Sequence, residues 1–277
     1  MQRHPISADA CIVRNTAGRK GRTLSVAPGR TAARFLHYGR IILDAGADPV
    51  RFDNGALETG LVCLKGSAIV RAAAETCPMD YLDALYVPRD SAIEVAAGPD
   101  GCDLAEIAAP VEGRYPLQFV DYDDVKANPG LHFSTGGPAN TRELNILLGK
   151  NIKAGRILAG VTFSAAGNWT SWPPHEHADL LEEAYLYIDM PAPGFGVQLV
   201  YTNAAEPELA TIVREGDVVL MPEGYHPNVA APGTQINFLW MMAAHTERES
   251  RLFGVVNVQP EFDGGNSGLE RGRADRE

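Results

Sequence analysis

Short apolar runs alternate with Gly, Pro, Asp and Asn along nearly the whole chain. RFLHYGRIILDAG (34–46), TGLVCLKGSAIVRAA (59–73), DALYVPRDSAIEVAAG (83–98) and CDLAEIAAPVEG (102–113) each read as one or two strands closed by a turn. GRILAGVTFSAAGNW (155–169), EEAYLYIDM (182–190), FGVQLVYTN (195–203), EGDVVLMPEGYH (215–226) and TQINFLWMMAAH (234–245) repeat the style. Val, Ile, Tyr and Leu dominate these runs, and none persists as a stripe of helical period. Many short strands at regular spacing predict an all-β sandwich or barrel.

The pattern also echoes itself. Strand, turn, strand and an apolar stretch ending in Pro plus a charge occur in the first half, and the same order returns over 183–233. Two copies of one β unit would account for the length of 277 residues. The polar, Gly-, Pro- and Asn-rich stretch 120–144 reads as the linker between them. The expected division is an N-terminal domain over 1–130 without a metal site, a C-terminal domain over 131–262, and a disordered tail over 263–277. That tail has almost no apolar residue to bury.

The second unit carries the chemistry. In SWPPHEHADLLEEAYLYI (171–188), His175 and His177 are spaced i, i+2, so in a strand they project to the same side. Pro173 and Pro174 stiffen the approach and lower the entropic cost of holding two imidazoles together. Glu182 and Glu183 follow at once, and His226 ends a later strand at a Pro–Gly turn. Three imidazoles and one carboxylate suit a divalent transition ion such as Zn, Mn, Fe or Ni, with positions left for water or substrate.

Composition narrows the partners. A formal net charge of −11 argues against general affinity for nucleic acid or anionic membrane. No segment is long and apolar enough to span a bilayer as a helix, and the first residues lack the apolar core of a signal peptide. Cys11, Cys63, Cys77 and Cys102 form no C-x-x-C pair and all lie in the first half. A reduced, cytoplasmic protein is expected.

Gly167, His175, His177, Glu182 or Glu183, and Gly194 resemble the first cupin motif; Gly216, Pro222, Gly224 and His226 resemble the second. GNWTSWPPHEHADLLEEAYLY, PGFGVQLVYT and GDVVLMPEGYHPNVAAPG look very like the isomerase family that contains 5-deoxy-glucuronate isomerase of inositol catabolism. The related 5-keto-4-deoxyuronate isomerase of pectin breakdown belongs with it. The resemblance extends to DALYVPRDSAIEV and APVEGRYPLQF in the first half. It implies a bicupin with a divalent metal in the second barrel, an aldose–ketose isomerase acting on a small sugar acid, and a homo-oligomer. A diverged paralogue on another sugar acid, or a cupin that binds a metabolite without turning it over, carries the same motifs.

The resemblance assigns His175, His177, Glu183 and His226 as metal ligands. Alternation supports Glu183, because Glu183, Tyr185 and Tyr187 share one strand face while Glu182, Ala184, Leu186 and Ile188 share the other. Generic cupin spacing would choose Glu182. Tyr185, Tyr187, Tyr225 and an unligated Glu182 are the candidates for moving protons. Arg142 and Arg156 are candidates for holding the substrate carboxylate. Gln198, a polar residue inside an expected strand, is a candidate cavity residue.

Overall fold

The computed structural model describes residues 6–262; the expected disordered tail, 263–277, lies outside the described residues. The architecture is a bicupin built almost wholly of antiparallel strands, and its sheets are not closed. The first half is one eight-stranded sheet. Its spine runs Gly21–Val26, His37–Leu43, Ala92–Pro110, Leu57–Ala72, Ala84–Val87 and Gln118–Val120. Val50–Asp53 and Glu75–Met79 pair onto the far parts of the two long strands.

Those two strands are long because they bend. Their register shifts between Cys63 and Lys65 and again between Gly66 and Ala68. Gly66 has φ +67°, and a Cβ there would lie 2.1 Å from the Gly101 carbonyl oxygen. Only glycine lets the backbones approach so closely at the bend. The sheet turns over an apolar filling that includes Ile41, Leu61, Val70, Leu85, Val95 and Leu104.

The second half is a sandwich. Its larger sheet has the order Ile12–Val13, Val218–Met221, Leu181–Ile188, Asn237–Ala244, Ile157–Ser164, Arg142–Leu148 and His132–Thr135. A four-stranded sheet, Trp169–Thr170, Asn228–Ala230, Gly196–Val200 and Leu209–Val213, packs against it. The short strand His175–Glu176 pairs separately with Asn257–Val258. The larger sheet takes its edge strand from the N-terminus, with Ile12 opposite Val219. The stretch 120–144, polar enough to read as a linker, carries the helix Tyr122–Ala127 and the strand His132–Thr135. Its polarity serves local bonds: Asp121 caps the helix, and His132 Nδ1 and Tyr122 Oη both contact Asn145 Oδ1.

The two halves share one apolar core, in which Val62, Tyr86 and Ile107 pack with Leu148, Ile157, Leu186 and Ala243. Two carboxylates fasten this junction reciprocally. Glu58, fully buried in the first half, accepts from the backbone N–H groups of Gly155, Arg156 and Ile157 and from Tyr86 Oη. Glu182 of the second half accepts from the N–H groups of Arg34, Phe35 and Leu36. Each follows the leucine that opens its strand, Leu57 or Leu181, and each satisfies the chain entering the partner half's sheet.

Candidate active site

Strand Leu181–Ile188 is buried along its whole length because both of its faces are covered. Glu182 points at the other half, whereas Glu183 points into the sandwich. There Glu183 Oε2 lies 3.0 Å from His177 Nε2 and 3.1 Å from His226 Nε2. Potential ligand atoms of His177, Glu183 and His226 all fall within 4.8 Å of one another. The His175 ring stands against His226, with centroids 5.0 Å apart, and faces the adjoining cavity; it is not one of the tight three.

Backbone carbonyls fix all three rings. His175 Nδ1 is 2.9 Å from Pro173 O, His177 Nδ1 is 3.2 Å from Leu181 O, and His226 Nδ1 is 2.9 Å from Gly224 O. A carbonyl only accepts, so each Nδ1 carries the hydrogen and each Nε2 is the nitrogen presented to the site. Burial, then the neighbouring His226, holds the His175 ring at about 3, so it is neutral near pH 7. For His177, burial is outweighed by the bond to Glu183, and its pKa is raised. Burial alone would push Glu183 up, but His177 and His226 hold it at about 2.

The chemistry of the donor set fits a cation. His226 Nε2 is buried and has no hydrogen-bond partner among the described residues, although the Glu183 carboxylate is 3.1 Å away. With Nδ1 tied to the Gly224 carbonyl, that nitrogen and the carboxylate oxygen point at one centre, an arrangement that a cation between them would satisfy. Three imidazoles, each tethered through Nδ1, and a carboxylate form a nitrogen- and oxygen-rich set suited to first-row divalent ions.

A cavity of about 40 Å³ opens beside His175 and Glu183. Arg142, Thr162, Ser171, Tyr185, Trp240, Met242 and Phe253 are among its walls. Arg142 is 4% exposed and donates to Asn140 O and Trp172 O at 2.9 and 2.7 Å. Tyr185 Oη lies 2.8 Å from Ser171 Oγ. Other sequence candidates sit elsewhere. Arg156 donates to the carbonyls of Pro110, Ala244 and His245 and stacks over Phe35 at the junction. Gln198 accepts from Tyr187 Oη and Asn228 Nδ2 and donates to His226 O and Pro227 O. Gln198 and Tyr187 therefore brace the turn that carries His226. Tyr225 is half-buried, pairs with Tyr201 through the backbone, and is not in the cavity wall.

Sequence reading did not single out Ser171, Thr162 or Phe253. Ser171 had a local signal, its place directly before Trp-Pro-Pro, whereas Phe253 reaches the site from beyond the last long strand and had none. A larger cleft of about 830 Å³ in the first half is lined by Arg51, Arg71, Arg114, Glu75, Asp90 and Glu94. Its charges cancel locally, with Arg51 and Arg71 both bound to Glu94.

Residues 11–257 match the KduI/IolB family. The chain belongs to that family. It is 31% identical over 249 residues to the 5-deoxy-glucuronate isomerases of Geobacillus kaustophilus (strain HTA426) and Geobacillus thermodenitrificans (strain NG80-2). Each alignment covers 84% of this chain and 88% of the relative. An IolB-like protein from Salmonella typhimurium LT2 superposes with a TM-score of 0.80 at 24% identity, covering 91% of this chain and 98% of that one. Bicupin oxalate decarboxylase superposes with a TM-score of 0.60 at 14% identity, a likeness of fold alone.

Proposed function

We propose that this KduI/IolB family member is a metal-dependent aldose–ketose isomerase acting on a sugar acid, with 5-deoxy-glucuronate of inositol catabolism as its substrate. The observation that carries the reading is Glu183 held between the Nε2 atoms of His177 and His226, with the His175 ring against His226, beside a cavity that also holds an arginine. The named activity of relatives that align over 84% of the chain supports the substrate.

We assign His175, His177, Glu183 and His226 as metal ligands. A divalent ion bound there would draw together and polarise the carbonyl and its neighbouring hydroxyl. Arg142, buried in the cavity wall, holds the substrate carboxylate with a charge that water screens weakly. Trp240, Met242 and Phe253 exclude water. Phe253, stacked on Trp240, closes one side of the cavity. Four free buried thiols support a reducing, cytoplasmic setting. Exposed Phe119 and Ile212, each on an edge strand of a different sheet, support a homo-oligomer built through sheet edges.

The test is turnover of 5-deoxy-glucuronate by purified protein reloaded separately with Zn, Mn, Fe and Ni, beside elemental analysis. Conversion without O₂ uptake in at least one metal form is expected. Conversion of 5-keto-4-deoxyuronate alone would move the chain to the pectin-pathway substrate, and no conversion of either sinks the assignment.

The metal-free protein should show a pH signature. Glu183, held at about 2 against its ordinary 4.5, adds stability above 4.5 that is lost as pH falls through about 2. His177, raised above 6.5, adds stability below 6.5 that is lost as pH rises through its raised value. His175 and His245, both lowered, act in the opposite direction but only below 6.5. Above pH 6.5, therefore, the Tm of chelator-treated protein should fall as pH rises through the raised His177 value, and this component should vanish in Glu183→Gln. A Tm that rises over that interval in both proteins would contradict the pairing.

A further inference from the structure

Ser171 has a left-handed backbone, φ 50°, a conformation that side chains other than glycine adopt at an energetic cost. It follows directly on the strand Trp169–Thr170, and it is 7% exposed. Its Oγ lies 2.8 Å from Tyr185 Oη, and Tyr185 is 3% exposed. Stacking of Tyr185 on Phe238, 4.1 Å between centroids, holds the phenol in place, with the His226 ring at its edge. Both residues line the cavity beside His175 and Glu183.

Counting protons exposes what this pair lacks. Two hydroxyls bring two hydrogens, and the bond between them uses one. Among the described residues neither hydroxyl has another hydrogen-bond partner, so one O–H has no acceptor inside the protein. A buried donor without an acceptor is costly, and backbone strain holds this one in place. The acceptor has to come from whatever fills the cavity.

We propose that Ser171 and Tyr185 form a two-hydroxyl relay that carries a proton between the two oxygens of the isomerising substrate. The inference rests on the isomerase reading. Aldose–ketose conversion moves one hydrogen from carbon to the neighbouring carbonyl carbon and one proton from hydroxyl to carbonyl oxygen. In the relay, the substrate O–H bond breaks and its proton passes to one dyad oxygen. That hydroxyl's own proton crosses the 2.8 Å bond, and the second hydroxyl gives its proton to the substrate carbonyl oxygen. The donor O–H electron pair becomes the new C=O π bond, the C–H pair ends as the new C–H bond, and the old π pair becomes the O–H bond that the relayed proton completes. Both hydroxyls are regenerated with the hydrogen bond between them reversed, neither changes charge, and no oxidant or reductant is needed.

The test uses the full chain, loaded with the metal that supports wild-type turnover of 5-deoxy-glucuronate. Ser171→Gly is the informative variant, because glycine relieves the left-handed strain while removing the hydroxyl. Its Tm should equal or exceed wild type, with metal content unchanged, yet kcat should fall about a hundred-fold with KM nearly constant. Tyr185→Phe should behave alike, and the double variant should be no slower than the slower single. The solvent deuterium isotope effect on kcat should drop in each. Wild-type kcat in Ser171→Gly, multiplicative losses in the double variant, or losses that follow metal content would overturn the relay. A wild type inert on both uronates would overturn the functional reading, and the relay with it.

Discussion

Glu183→Gln is expected to lose its bound metal and to reduce isomerase kcat by about a thousand-fold or more, which corresponds to roughly 4 kcal/mol of transition-state stabilisation. The reason is local. One carboxylate oxygen is shared between two imidazole nitrogens, at 3.0 and 3.1 Å, in a site where every contributor is almost fully buried. An amide keeps the shape and discards the charge, and its NH₂ would oppose whatever occupies the centre. The control is one residue away. Glu182→Gln removes a carboxylate of equal charge and burial whose oxygens accept from the Arg34, Phe35 and Leu36 amides instead. It should lower stability and leave metal content near wild type. Elemental analysis and steady-state rates on both variants decide the matter, and equal metal loss in the two would overturn the division of roles.

Much of this division was legible in strand alternation. The register of EEAYLYI separates Glu183 and Tyr185 from Glu182 and Ala184, and the H-x-H spacing sets His175 and His177 on one side. Periodicity, however, reports faces and not their coverings. Glu182 lies on a face that looks like ordinary packing, and only the docking of the first half shows that its oxygens meet three backbone amides. Arg142 and Arg156 are alike in sequence, both basic and both near a strand start. One enters the cavity, and the other spends its guanidinium on Pro110, Ala244 and His245 carbonyls. That choice is made by long-range contacts, about which local pattern is silent. Gln198 was rightly conspicuous as a polar residue in a strand, yet its partners are the turn beneath His226. Phe253 left no trace, since nothing in HTERESRLFGVV marks a return to the cavity wall.

The largest expected effect on stability lies far from the chemistry, at Glu58. Its carboxylate is fully buried and accepts four hydrogen bonds, from the Gly155, Arg156 and Ile157 amides and from Tyr86 Oη. Glu58→Leu keeps the volume and strips every acceptor. Each buried donor left unpaired costs about 1–3 kcal/mol, and the three backbone amides lie at the entry to the strand Ile157–Ser164, which fixes their direction. Over four donors the cost is about 4–12 kcal/mol, comparable with the 5–15 kcal/mol that holds a typical domain together. Glu58→Leu should therefore be largely insoluble or melt more than about 10 °C below wild type. Glu58→Gln retains one acceptor oxygen but turns an NH₂ toward backbone N–H groups, so its Tm should fall in between. Thermal unfolding of wild type and both variants is the measurement. A Glu58→Leu protein within about 1 kcal/mol of wild type would mean that water or rearranged backbone takes over the four donors. The junction would then be held by its apolar core alone, and the carboxylate reciprocity between Glu58 and Glu182 would have no energetic weight.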